Sequence, residues 1–251
     1  MRVVQGRRFN VCPGIPFAGT PPTDGILRDY VVWPARLALK VPDSLSFDDI
    51  AMMEPLAIGV YAVQLGQPGP EDVVAILGAG GIGLSTLIAA KVAGVRRVIV
   101  SEPVPQRRAA ALKLGASEVI DPGTVNVEDA VSALTGGRGA DVVIECTGEE
   151  QAVREACRVA RIMGKLVIVG IPTGDDYPFD ASVARRKQLS AVFVRRSNQT
   201  TETAIEWVAE RKADVSVLAT HHFPLERATE AMELASGKAD GVIRAVIVVG
   251  S

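Results

Sequence analysis

Val73-Val74-Ala75-Ile76-Leu77-Gly78-Ala79-Gly80-Gly81-Ile82-Gly83 is the stretch whose reading decides the fold. Its first five residues are an apolar run stopped by glycine, the pattern of a strand buried on both faces. Leu84, Leu87, Ile88 and Val92 then recur at helical spacing, and the pattern closes at Gly94. Between strand and helix stands Gly-x-Gly-x-x-Gly. Gly78 permits the tight turn, Gly80 lets a pyrophosphate approach the backbone, and Gly83 lets helix and strand pack closely. The phosphates would rest at the helix N-terminus, where unpaired N–H groups and the helix dipole favour anions. Such a loop carries little meaning alone. The strand before it and the helix after it supply the context that a dinucleotide site requires.

Working outward, Arg97-Val98-Ile99-Val100 reads as a second strand, and Glu102 follows it, 19 residues beyond Gly83. A carboxylate there can hold both ribose hydroxyls and repels a 2′-phosphate, which favours NAD over NADP. Arg107 and Arg108 weigh the other way, since a nearby arginine can accept that phosphate. The rhythm then continues: helix 105–114, strand 118–120, helix 127–134, strand 142–144, helix 150–160, strand 166–169 and strand 189–194. Alternation of this kind predicts an α/β fold, a doubly wound parallel sheet with helices on both faces. Ligands in such sheets bind beyond the carboxyl ends of the strands. Cys146-Thr147-Gly148 and Val169-Gly170-Ile171 stand at two such ends, and the glycines would let the backbone approach the nicotinamide half. Cys146 also reads as a small core residue.

The flanks differ in pattern. Tyr30-Val31-Val32 and Leu37-Ala38-Leu39 look like short β segments. Residues 46–64 read as a helix capped by Ser46, with Pro55 kinking or dividing it. Helices at 201–210 and 225–235 follow the sheet, the second with Leu225, Ala228, Met232 and Ala235 on one face. A final strand runs over 243–249. The two flanks are expected to pack together as a second, smaller domain.

Composition narrows the function. The 251 residues hold 27 Lys plus Arg against 29 Asp plus Glu, so a net charge of −2 gives no electrostatic case for nucleic acid or an anionic membrane. Three cysteines with no Cys-x-x-Cys exclude a disulfide scaffold and favour a reducing, cytoplasmic setting. With only two histidines, a self-contained Cys/His zinc site is all but excluded. Arg2, Arg7 and Arg8 interrupt any signal-peptide core. Residues 73–90 are 18 in a row without a charge, the length of a membrane span, but four glycines split them into strand and helix.

Several stretches now carry a resemblance. They are Gly6-Arg7-Arg8-Phe9-Asn10-Val11-Cys12-Pro13, Ala18-Gly19-Thr20-Pro21-Pro22-Thr23-Asp24-Gly25, Met53-Glu54-Pro55-Leu56-Ala57 and Glu145-Cys146-Thr147-Gly148. Two more are Arg195-Arg196-Ser197-Asn198 and Thr220-His221-His222-Phe223-Pro224. With the glycine loop, the chain resembles the zinc-containing medium-chain alcohol dehydrogenases, in their sorbitol (L-iditol) dehydrogenase branch. The resemblance implies a Rossmann domain over 57–197, the remnant of a GroES-like catalytic domain over 1–56, and its C-terminal segment over 198–251. It implies zinc and NAD as cofactors, a polyol or secondary alcohol as substrate, and a homo-oligomer, dimer or tetramer, paired through the strand at 189–194. Zinc would act as a Lewis acid on the alcohol while hydride passes to the nicotinamide.

Carried over by motif, Glu54 matches the glutamate beside the catalytic zinc, and Cys12 the last of four cysteines around a structural zinc. Ile82, Glu102, Arg107, Val169, Gly170, Ile171 and Val194 match positions facing NAD. Arg195 matches an arginine near cofactor and substrate, while Arg196 stands where the sorbitol enzymes often have tyrosine. The family's main zinc ligands, a cysteine and a Gly-His-Glu stretch, have no counterpart here. The chain therefore resembles a member that begins late, and it is expected to bind NAD with little zinc-dependent activity of its own. A non-catalytic NAD-binding module and a threonine or butanediol dehydrogenase stay open as alternatives. A methyltransferase is disfavoured by the complete glycine loop and the flanking matches.

Overall fold

The computed structural model describes residues 8–250. Arg2, Gly6 and Arg7, used above, lie outside them. Six strands form one parallel sheet: β1 Val73–Leu77, β2 Arg97–Ser101, β3 Glu118–Ile120, β4 Ala140–Glu145, β5 Ala160–Ile168 and β6 Ser190–Phe193. Their order is β3-β2-β1-β4-β5-β6, that of a doubly wound dinucleotide fold. Two further strands, β7 Ala219–Pro224 and β8 Arg244–Val248, pair in parallel as a separate small sheet.

The helices are α1 Phe47–Gly66, α2 Gly81–Val92, α3 Pro105–Lys113, α4 Val127–Leu134, α5 Glu150–Val159, α6 Ala181–Lys187, α7 Thr201–Ala209 and α8 Ala228–Gly237. Strand side chains alternate between faces, so a strand buried on both faces feeds two cores. Val74, Ile76, Val100 and Ile144 point to one face and pack with Leu56 of α1 and Leu84 and Leu87 of α2. Val73, Ala75, Val143 and Leu166 point to the other and pack with Val127 and Val131 of α4 and Ala156 of α5.

Four expectations are corrected. Residues 30–34 form no strand, and 35–37 form a turn of 3-10 helix. A β segment needs a neighbouring ladder for its N–H and C=O groups, and none is offered there among the described residues. Pro55 does not divide α1, which runs unbroken for 20 residues. Its buried flank, packed across α2 so closely that a Cβ on Gly59 would lie 2.6 Å from the Ser85 carbonyl carbon, outweighs the lost N–H. The helix at 225–235 is a 3-10 turn, Leu225–Arg227, followed by α8. In α8 the buried residue is Ala231, while Met232 is 61% exposed, so the apolar face lies one position away from the expected one.

Candidate functional site

The crevice opens beyond the carboxyl ends of β1 and β4, where the winding of the sheet reverses. The glycine loop leaves β1 there. Gly78 has φ +94°, a left-handed conformation that favours glycine. A Cβ on Gly83 would overlap the Gly78 carbonyl oxygen, so the third glycine is needed for the close turn of strand onto helix. Gly80 is the N-cap of α2 and no side chain caps that helix, which leaves the N–H groups of its first turn for an anion. A Cβ on Gly80 would find nothing closer than Arg107 Nη1 at 4.0 Å. The second glycine thus guards open space, while the third fills a packed one.

Glu102 is 3% exposed. Its Oε2 accepts the Ala79 N–H at 2.7 Å and its Oε1 accepts the Val104 N–H at 3.0 Å, so it ties the end of β2 to the glycine loop. The neighbouring arginines are engaged elsewhere. Arg108 Nη1 donates to the Glu102 carbonyl at 2.8 Å, and its Nη2 lies 2.9 Å from Asp121 Oδ2. Arg107 Nε donates to the Val242 carbonyl at 2.9 Å, and its Nη2 donates to the same oxygen. Arg107 therefore anchors the C-terminal segment to the nucleotide crevice.

Two clefts meet at Cys146 and Thr147. One, of about 540 Å³, is lined by Gly78, Gly80, Glu102, Arg107 and Lys238. The other, of about 490 Å³, is lined by Ile82, Val169, Gly170, Ile171, Val194 and Arg195. Burial pushes the Cys146 thiol well above its ordinary value, with the Glu145 charge adding to the effect, and the residue forms part of the wall of both clefts. Gly81, Gly83 and Gly148 line neither cleft and shape the backbone behind them. The nucleotide residues inferred from sequence thus come together.

The expected metal residues do not. Glu54 is exposed on α1 and lines neither cleft. Cys12 is a free, half-buried thiol. His221 and His222, adjacent on β7, pair separately with Asp240 at 3.3 Å and Asp48 at 2.8 Å. Among the described residues no group of three or more His, Cys, Asp or Glu could hold a metal ion. No described helix is long and apolar enough to cross a membrane.

Sequence reasoning missed Arg244. From the start of β8 its side chain crosses the glycine loop, and a Cβ on Gly81 would overlap its Nε. That Nε is buried without a hydrogen-bond partner. Burial lowers the proton affinity of the guanidinium, with the charge of Glu54 acting the other way. A half-buried cation whose Nε lacks an acceptor, set at a helix N-terminus, suits an anionic ligand. The only signal in the sequence is one charge heading the apolar run Ala245-Val246-Ile247-Val248.

A third cleft, about 420 Å³, lies at the amino ends of β4 and β5 and is lined by Arg138, Arg158, Arg161 and Lys187. These cations already meet Asp141, Asp180 and main-chain carbonyls, so the basic surface is internally matched.

Comparison with known proteins agrees with this geometry. A family model described as zinc-binding dehydrogenase matches residues 81–210. Over 228 residues the chain is 32% identical to the sorbitol dehydrogenase of Bacillus subtilis (strain 168), covering 91% of this chain and 65% of that protein. It therefore spans less than two thirds of that relative's length. An oxidoreductase of unknown specificity from Escherichia coli superposes with a TM-score of 0.95 at 28% identity, covering 100% of this chain and 72% of that one. A putative zinc-binding dehydrogenase from Sinorhizobium meliloti 1021, solved with NADP, gives a TM-score of 0.90 at 28% identity, covering 99% and 72%. The match to the family model extends over more than half of the chain, from the glycine loop through α7, and the chain belongs to the zinc-binding dehydrogenase family.

Proposed function

We propose that this chain holds NAD(H) in the crevice above β1 and β4, as the nucleotide-binding part of an oxidoreductase that converts a polyol or secondary alcohol to a ketone. The observation that carries the reading is the α2 N-terminus, open at Gly80 and crossed by Arg244, whose buried Nε has no hydrogen-bond partner. The bound dinucleotide would supply the hydride-accepting ring. The α2 N–H groups and Arg244 would hold its pyrophosphate. Glu102 presents a buried carboxylate with spare lone pairs to the ribose, and it disfavours a 2′-phosphate. The protein contacts of Arg107 and Arg108 support the same preference for NAD, although the Sinorhizobium relative was solved with NADP. Ile82, Val169 and Val194 would shield the ring from water, with Arg195 as a cation lining the same cleft.

The polyol class is supported by the likeness to sorbitol dehydrogenase. Domain limits at 1–56, 57–197 and 198–251, pairing of two copies through the β6 edge, and a cytoplasmic setting belong to the same proposal. Sedimentation velocity checks the pairing, which a monomer at high micromolar concentration overturns. Zinc is supported by family membership alone. Glu54 and Cys12 do not make a site, since a catalytic zinc takes three protein ligands and an open position. Fluorescence titration with NADH tests the nucleotide reading, with S-adenosylmethionine as competitor. Saturable binding that the competitor leaves intact is expected. Displacement by S-adenosylmethionine, or no binding, overturns it. Polyol-dependent NADH formation with stoichiometric zinc would contradict the expected low activity of this chain.

A further inference from the structure

Glu145, the last residue of β4, is fully buried, and none of the roles above uses it. Its two oxygens are unequal. Oε1 accepts the Thr147 N–H at 2.6 Å, the Thr147 hydroxyl at 2.5 Å and the Gly148 N–H at 2.9 Å. Oε2 is buried and has no partner. It presses instead on the β5 end, where a Cβ on Gly170 would lie 2.5 Å from it. The carbonyl of Glu145 accepts the Val169 and Gly170 N–H groups at 2.9 and 3.1 Å. One residue therefore fixes both strand-end loops that wall the crevice.

The consequence reaches the glycine loop. With hydroxyl and N–H both held by Glu145, the Thr147 side chain has one orientation, and its methyl covers Gly78, where a Cβ would lie 2.6 Å from Thr147 Cγ2. Thr147 is also one of the two residues shared by the nucleotide clefts. A buried carboxylate with an unmatched oxygen is costly to keep, and such a cost is met where it preorganises a site.

We propose that Glu145 is a positioning residue for the dinucleotide: through Thr147 and Gly148 it fixes the wall between the adenosine and nicotinamide clefts. This rests on the nucleotide reading above. The wall faces both clefts, so a ligand that spans them meets its displacement on two sides and one confined to the Glu102 side on one. NADH and AMP therefore separate positioning from general stability.

The test compares both ligands by calorimetry on the full chain, for wild type, Glu145→Gln and Thr147→Val. Thr147→Val, at an exposed position, keeps a methyl over Gly78 and exchanges the hydroxyl, with its bonds to Glu145 and from the Glu149 N–H, for a second methyl, so it keeps the test open if Glu145→Gln folds poorly. Both variants are expected to bind NADH about tenfold more weakly or worse, with a clearly smaller loss for AMP. Equal loss of both ligands, or unchanged NADH affinity in Thr147→Val, overturns the positioning role. Wild type that binds neither ligand overturns the nucleotide reading itself, and this inference with it.

Discussion

Gly80 and Gly83 have the same side chain and opposite jobs. A methyl at Gly83 meets the Gly78 carbonyl, whereas one at Gly80 meets only the tip of Arg107 at 4.0 Å. Gly83→Ala is therefore expected to destabilise the fold by about 2 kcal/mol or more in urea denaturation. Gly80→Ala, with φ −70°, should stay within about 0.5 kcal/mol of wild type yet weaken NADH binding. Arg244 offers the complementary case. Its Nε has no protein acceptor, so Arg244→Met should leave the melting temperature unchanged or raised, while NADH affinity falls about tenfold. A variant that melts lower and binds NADH normally would assign Arg244 to structure instead. The tight turn at Gly78 and the close packing at Gly83 were legible from sequence, because the motif spacing encodes both directly. Arg244 and Glu145 were not, because their significance lies in which backbone atoms they reach or fail to reach across more than 20 residues of chain or at a strand end.

At the scale of elements, the sheet is held at its amino edge by a buried acid. Asp141 opens β4 beside Ala140, accepts the Val73 N–H at 2.9 Å, and meets Arg138 and Arg161 at 2.6 Å each. Burial alone would raise its pKa. The Arg138, Val73 and Arg161 hydrogen bonds and the Arg138 charge reverse that, and the carboxyl titrates at about 2. Its folded-state pKa is depressed below the unfolded value of 3.8, so the stabilisation is present above that value and is lost as pH falls towards 2. The stake is about 2 kcal/mol. Urea unfolding followed from pH 5 to 2 should show that loss in wild type and a flatter profile in Asp141→Asn, which starts less stable at neutral pH. Parallel profiles would remove Asp141 from the account. Strand and helix identity along the sheet followed from periodicity, since each buried strand is a short apolar run between glycine or proline stops. The misreadings fell where tertiary packing decides: the unbroken helix at Pro55, the rotated face of α8, and the unlinked β segments at 30–39.

At the scale of the molecule, the two cores, the six-stranded parallel sheet and its strand order all place one crevice at the reversal of winding, and every residue inferred from sequence to face a nucleotide lines it or shapes its backbone. The fold class was readable because the alternation of elements admits few topologies. The amino-terminal flank was not, because it is nearly without regular structure: Tyr30 is 90% exposed and Val32 wholly so. Patterns of apolar residues report burial only where the chain provides something to be buried against. Occupation of the crevice by NAD(H), as proposed above, is open to amide hydrogen exchange with and without saturating NADH. Protection is predicted over 78–83, 145–148 and 169–171, with the cleft around Arg138 and Lys187 unchanged. Protection confined to that basic cleft, or none over the glycine loop, would contradict the account.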